Sequence, residues 1–147
     1  MIETLADEAR RVLAEADCLF DAEAVQEAYD RIAADIADTY GDEPLHVVCV
    51  MTGALVACTE IIRRLKMPLT LDYLHATRYR GETSGRDLVW KVAPPGDLGG
   101  RHVLLIDDIL DEGHTLLAIR NAILANQPAS LRTAVLADKQ HQRRAPG

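Results

Sequence analysis

The sequence contains little cysteine, no excess of positive charge and no long apolar run. Its three cysteines, Cys18, Cys49 and Cys58, form no C-x-x-C pair, which is typical of structural thiols in a reducing compartment. A net charge of −7 argues against non-specific binding to nucleic acid or to a membrane surface. No apolar run approaches the length of a membrane span, and residues 2–16 are too rich in charge for a signal peptide. These absences predict a cytoplasmic protein without nucleic-acid or membrane partners.

The length and composition predict a single domain over residues 1–147. With 48% hydrophobic residues, a chain of 147 residues can bury one good core but not two. Residues 1–41 are predicted to form an N-terminal helical portion, because apolar residues recur at three- and four-residue steps over 2–16 and again after Asp21. The second helix is expected to run from Asp21 as N-cap to about Tyr40, with Gly41 as its stop.

Strand-like and helix-like segments alternate over residues 42–147, and this pattern predicts an α/β core. The predicted helices after residue 42 are 54–66 and 116–125. The predicted strands are 45–51, 69–76, 88–92, 103–107 and 130–137.

The stretch from Val103 to Leu116 (V-L-L-I-D-D-I-L-D-E-G-H-T-L) carries the strongest functional signal. An apolar strand is followed by four acidic residues within six positions: Asp107, Asp108, Asp111 and Glu112. A helix then opens, and its free N–H groups and dipole suit a phosphate. Thr115 can cap this helix and donate its hydroxyl to the same anion. The carboxylates suit sugar hydroxyls or hydrated magnesium, so the pattern predicts a ligand with a phosphate beside ribose hydroxyls.

Other interpretations of the acidic stretch are less favourable. A Walker B strand would require a G-x-x-x-x-G-K-[ST] loop, which the chain lacks. A phosphoacceptor receiver domain would carry its acidic pair near the N-terminus, whereas this pair lies in the last third of the chain. A solvated acidic turn without function stays open, although carboxylates are rarely so dense at a strand end.

The stretch resembles the phosphoribosyl pyrophosphate (PRPP) motif of type I phosphoribosyltransferases. Asp111 and the following E-G-H-T are most similar to the hypoxanthine-guanine branch. The resemblance implies an α/β fold of three layers, a mostly parallel twisted sheet flanked by helices, with N-terminal helices. It implies purine salvage, in which the 5-phosphoribosyl group of PRPP is transferred to N9 of hypoxanthine or guanine, giving IMP or GMP and pyrophosphate. It further implies Mg²⁺ as cofactor and a homodimer or homotetramer.

The resemblance also implies roles for individual residues of the PRPP motif. Asp107 and Asp108 would bind the ribose hydroxyls and magnesium, the latter directly or through water. The 5′-phosphate would be bound by Asp111, Glu112, Gly113, His114 and Thr115. Asp111 would also be the catalytic residue that takes or shares the proton of purine N7.

The same resemblance assigns residues outside the motif. Thr52 and Gly53 fall on the family's pyrophosphate loop, which often contains a non-proline cis peptide, and Arg143 would contact pyrophosphate as well. Lys139 would donate to the purine 6-oxygen, which favours a 6-oxopurine over adenine. Arg78 and Tyr79 correspond to the Ser-Tyr of a lid that excludes water.

Several positions depart from the family pattern. Thr52 stands where a Lys or Asn is common, which leaves the pyrophosphate loop a backbone role, and Arg78 replaces a serine. No candidate for the family's C-terminal hydrophobic segment and second aspartate precedes Gly147, so the core is expected to lack that hood segment. Two alternatives stay open: a regulatory protein of the same fold that senses PRPP or nucleotide without enzyme activity, and xanthine as a substrate base.

Overall fold

The computed structural model describes residues 21–78, 88–110 and 114–138. The predicted helix over residues 2–16 lies outside them. The described chain forms, in order, α1 Ala22–Tyr40, β1 Leu45–Met51, α2 Leu55–Ile62, β2 Leu69–Arg78, β3 Leu88–Val92, β4 His102–Leu110, α3 His114–Leu124 and β5 Ser130–Asp138. None of the described helices is long and apolar enough to cross a membrane.

The strands form one sheet in the order β3-β2-β1-β4-β5. Strand β1 pairs in parallel with β2 and β4, and β4 pairs in parallel with β5, whereas β2 and β3 are antiparallel. The first six residues of β1 are buried, as expected for a central strand covered on both faces. The mostly parallel α/β sheet predicted from the sequence is therefore confirmed.

Helices cover both faces of the sheet and make the fold three-layered. Cys58 of α2 shares a hydrogen bond with Cys49 of β1. On α3, Arg120 Nη1 donates to Thr133 Oγ1 of β5 at 2.5 Å. Cys49 and Thr133 point to opposite faces, because the β4 residues paired with them are consecutive in sequence. Helices α2 and α3 therefore lie on opposite sides of the sheet.

Helix α1 is bounded by the caps that the sequence predicted. The Asp21 side chain accepts a hydrogen bond from the Ala24 amide at 2.8 Å. At the other end, Gly41 has φ +59° and donates from its amide to Ala37 O at 2.9 Å. The helix buries one stripe of side chains at helical spacing: Tyr29, Ala33, Ile36 and Tyr40.

Arg64, just beyond the end of α2, joins α2 to α1. Its Nε lies 2.7 Å from Asp30 Oδ1 of α1, and its Nη1 lies 2.8 Å from Glu60 Oε2 of α2. The guanidinium also stacks over the Tyr29 ring, 5.5 Å from the ring centroid. Helices α1 and α2 therefore form one layer.

Several element boundaries differ from the predicted ones, and β2 continues to Arg78 rather than Ala76. Helix α2 ends at Ile62 rather than Lys66, because the amides of Arg64 and Leu65 donate to carbonyls three residues back. Strand β4 continues to Leu110, since pairing with β5 extends through Asp107. Helix α3 begins at His114, so Thr115 lies within its first turn; the prediction that Thr115 is the cap residue was wrong.

Candidate active site

The candidate site lies between the carboxyl ends of β1 and β4. These strands are neighbours in the sheet, but the chain leaves β1 through α2 towards β2 and leaves β4 through α3 towards β5. The two connections run to opposite sides, which opens a crevice at the strand ends where α/β proteins bind ligands. Both predicted motifs reach this crevice, the first through Thr52-Gly53 and the second through Asp107-Asp108.

The turn between β1 and α2 presents its backbone to the crevice. The Met51–Thr52 peptide bond is cis, as the family resemblance implied for this loop. Thr52 and Gly53 are exposed, whereas Ala54 is fully buried and anchors the turn. The Ala54 amide donates to Val50 O at 3.1 Å, and the Leu55 amide donates to Thr52 O at 3.2 Å. A ligand at this turn would therefore meet Thr52 and Gly53.

Gly53 and Asp108 are in direct contact across the crevice. A Cβ atom built on Gly53 would lie 3.0 Å from Asp108 Oδ2 and 3.1 Å from both Cγ and Oδ1. Only a residue without a side chain leaves the Asp108 carboxylate in this place. Gly53 in the β1–α2 turn thus leaves room for the Asp108 carboxylate at the end of β4.

The carboxyl groups of Asp107 and Asp108 are hydrogen-bonded to each other. The Asp108 amide donates to Asp107 Oδ1 at 2.8 Å. Burial raises the pKa of Asp107 to about 7, and the hydrogen bond between its carboxyl group and that of Asp108 acts in the same direction. Asp107 therefore holds its proton at a higher pH than an ordinary aspartate does.

The pair has donors of the kind that a hydrated magnesium ion takes. In residues 21–78, 88–110 and 114–138 there is no group of three or more His, Cys, Asp or Glu residues that could hold a metal ion. Magnesium commonly takes one or two carboxylates and completes its shell with water and phosphate oxygens. Asp107 and Asp108 supply donors of this kind, next to a turn that can bind phosphate.

Several predicted site residues lie outside the described residues, and their roles stay predictions. They are Tyr79, Asp111, Glu112, Gly113, Lys139 and Arg143. For Arg78 and His114 the structure gives only a backbone position, at the end of β2 and at the start of α3. Thr115 is half-buried in the first turn of α3.

The sequence did not connect the two buried cysteines with the site. Cys49 and Cys58 are free, and the hydrogen bond that the Cys49 thiol donates to Cys58, followed by burial, raises the pKa of Cys49. The charge of Asp107 contributes to the same rise, so the pair lies within electrostatic reach of the crevice. Cys49 lies on a strand and Cys58 on a helix, and their spacing matches no motif. The sequence therefore gives no signal of their contact.

Comparison with known proteins agrees with this geometry. The family model described as phosphoribosyl transferase domain matches residues 15–146. The chain is 31% identical to the hypoxanthine-guanine-xanthine phosphoribosyltransferase of Tritrichomonas foetus, over 82% of this chain and 66% of that protein. It is 30% identical to the hypoxanthine-guanine phosphoribosyltransferase of Staphylococcus epidermidis, over 86% of this chain and 72% of that protein.

A solved structure is similar over a comparable share of the chain. The crystal structure of a hypoxanthine-guanine phosphoribosyltransferase from Bacillus anthracis superposes with a TM-score of 0.82 at 26% identity, covering 90% of this chain and 78% of that one. The matched part of the chain spans slightly less than two thirds of the length of the Tritrichomonas foetus relative. Match, sheet order and site geometry together show that the chain belongs to the phosphoribosyl transferase domain family, in its hypoxanthine-guanine branch.

Proposed function

We propose that this protein is a purine salvage enzyme that transfers the 5-phosphoribosyl group of PRPP to N9 of hypoxanthine or guanine. The products would be IMP or GMP and pyrophosphate. The observation that carries the proposal is the contact between Gly53 and Asp108, which joins an anion-binding turn to a sugar-binding carboxylate in one crevice. PRPP requires this combination, because its pyrophosphate and its ribose hydroxyls project from adjacent carbons of one ring.

The substrate would span the crevice from α3 to the β1–α2 turn. Its 5′-phosphate would lie on the amides of residues 112–115 at the start of α3, where the helix dipole favours an anion. Asp107 and Asp108 would accept from the ribose hydroxyls. Amides of Thr52 and Gly53, with Arg143, would bind the pyrophosphate.

The reaction follows from these positions. Departure of pyrophosphate from C1 leaves cationic character on the ribose, which nearby carboxylates stabilise. Purine N9 then attacks C1 while Asp111 takes or shares the N7 proton. Lys139, a donor only, would select a 6-oxopurine, with xanthine as a further substrate to test. A lid containing Arg78 and Tyr79 would close over PRPP and exclude water.

Magnesium is the proposed cofactor, and Asp107 with Asp108 would hold it directly or through water. When bound, the ion would neutralise charge on the departing pyrophosphate. A cation beside the pair would also lower the pKa of Asp107 from about 7 and so favour its ionised form at neutral pH. We further propose that the chain is one domain, a homodimer or homotetramer, and cytoplasmic.

The proposal is tested by incubating the protein with Mg-PRPP and, in parallel, hypoxanthine, guanine, xanthine or adenine. Nucleotide formed from 6-oxopurines but not from adenine is the expected result. Saturable PRPP binding without turnover would replace the enzyme with a PRPP-sensing regulator. The absence of both turnover and PRPP binding would contradict the assignment of the crevice itself. Asp108→Asn, which keeps the shape of the side chain, is the variant expected to lose PRPP binding.

A further inference from the structure

Two buried thiols face each other beneath the β1–α2 turn. Cys49 of β1 and Cys58 of α2 are 2% and 3% exposed, and neither is in a disulfide. The Cys49 thiol donates a hydrogen bond to the Cys58 sulfur. Cys49 lies three residues before Thr52, and Cys58 lies five residues after Gly53. The two sulfur atoms therefore meet between the strand and the helix that hold the turn at each end.

A buried cysteine usually serves only as a small apolar side chain, but two features distinguish this pair. The described residues contain two cysteines, and the fold brings both to one place although they belong to different elements. The hydrogen bond that Cys58 accepts also lowers the pKa of its thiol, although burial acts in the opposite direction. Because the thiolate is the nucleophilic form, Cys58 is the more reactive of the two.

We propose that Cys49 and Cys58 form an oxidation site, at which hydrogen peroxide converts the two thiols into a disulfide that displaces the β1–α2 turn. The Cys58 thiolate attacks one oxygen of the peroxide and the O–O bond breaks, which leaves a sulfenic acid on Cys58. The released hydroxide takes up the proton that the Cys58 thiol lost. The Cys49 sulfur then attacks the Cys58 sulfur, and the hydroxyl group leaves with the Cys49 proton as water. In total the thiols lose two electrons, and the peroxide is reduced to two water molecules.

Helix α2 gives the oxidant a way to the pair, because it is short and its first turn is weakly capped. It has eight residues, and its N-cap, Ala54, makes no side-chain hydrogen bond. Such helix ends open locally at a small fraction of the free energy of global unfolding. The Cys58 amide donates to Ala54 O at 2.7 Å, so opening of the first turn frees Cys58. Hydrogen peroxide, which is little larger than water, can then reach its sulfur.

The cross-link should move the turn. The two sulfur atoms must approach from hydrogen-bonding distance to about 2.05 Å. Helix α2 takes up this movement, since β1 is held by hydrogen bonds to β2 on one side and to β4 on the other. The turn that leads into α2 contains Gly53, where even a Cβ atom would come within 3.0 Å of Asp108 Oδ2. A shifted turn therefore presses on Asp108 and lowers kcat/KM for PRPP, a consequence that rests on the proposed function.

The test uses Cys18→Ser, which leaves Cys49 and Cys58 as the only thiols of the chain, in parallel with the wild type. After treatment with hydrogen peroxide, peptide mass mapping is expected to show Cys49 joined to Cys58 with the loss of two hydrogen atoms. Hydrogen exchange at the amides of residues 52–55 should change on oxidation. Dithiothreitol should reverse both effects, as expected for a redox-sensing disulfide in a reducing compartment. The oxidised protein should lose about tenfold or more in kcat/KM for PRPP, because a misplacement of about 1 Å can cost about 100-fold.

The matched control is Cys58→Ala in the Cys18→Ser background, which removes the partner of Cys49. Peroxide should leave its kcat/KM and its amide exchange unchanged, and circular dichroism should show all variants folded. Three results would overturn the proposal: both thiols stay free at a peroxide concentration that oxidises glutathione, Cys58 is oxidised without a cross-link, or the disulfide forms without any change in exchange at the turn. Cross-link and exchange are measured without substrate, so failure of the oxidation site and failure of the proposed activity are separate results.

Discussion

Gly53→Ala is the substitution that most directly tests how the site is built. The new Cβ would lie 3.0 Å from Asp108 Oδ2, closer than an ordinary carbon–oxygen contact, so the carboxylate must move by a few tenths of an ångström. Gly53 is not among the described glycines with positive φ, which are Gly41 and Gly100. The alanine therefore adds no backbone strain, and its effect comes from displacing Asp108.

The displacement should reduce function far more than stability. The carboxylate is the free end of a side chain, so overpacking should cost less than about 1 kcal/mol, below the usual range for a packed core. Misplacing a substrate-binding group by about 1 Å can cost about 100-fold in rate, so a shift of a few tenths should cost roughly tenfold. We expect kcat/KM for PRPP to fall by that factor, with thermal unfolding nearly unchanged.

The assay is steady-state kinetics at varied Mg-PRPP, with calorimetric titration of PRPP binding. Gly96→Ala is the control, because a Cβ there meets no atom within 4 Å. The same alanine should have little further effect in an Asp108→Ala background, since the group it displaces is gone. Full activity of Gly53→Ala, or an undiminished loss in the Asp108→Ala background, would refute the argument.

Three further predictions concern single side chains. Asp111→Asn should lower kcat at least about 100-fold while PRPP affinity changes little; equal losses in both would assign Asp111 to binding alone. Burial raises the pKa of Asp107 to about 7 from 3.8, so unfolding free energy should fall as pH rises between these values, and Asp107→Asn should remove that slope in denaturation curves. Burial, followed by the charge of Arg101, lowers the pKa of His46, so stability should fall as pH drops below 6.5, and His46→Gln should flatten that decline.

The strands and the two caps of α1 followed from local sequence. The run from Leu45 to Met51 is apolar except for His46, and the structure buries its first six residues on both faces. Asp21 and Gly41 bound α1 because each satisfies backbone groups that a helix end leaves open. Such signals depend only on neighbouring residues, so one sequence was enough to find them.

Features that depend on pairing between distant segments could not be predicted from the local sequence. Asp107 was expected at the end of a strand, but its pairing with Val135 carries β4 to Leu110. The contact between Gly53 and Asp108 joins two motifs that the sequence could only describe separately. The alternation around Leu71 predicted a strand but not that this side chain would be 63% exposed in the described structure, because exposure depends on where the helices pack.

The contacts that Arg64 makes with α1 and α2 connect the N-terminal helix to the candidate site. Helix α2 has only eight residues, and an isolated helix of this length is not stable in water. It starts directly after the β1–α2 turn, which is the proposed anion site. Its far end is fastened through Asp30 and Tyr29 to α1, which is 19 residues long. The turn proposed to bind pyrophosphate therefore lies at one end of a short helix whose other end is fixed to a long one. Helix α1 thus supports the β1–α2 turn, although none of the predicted site residues belongs to it.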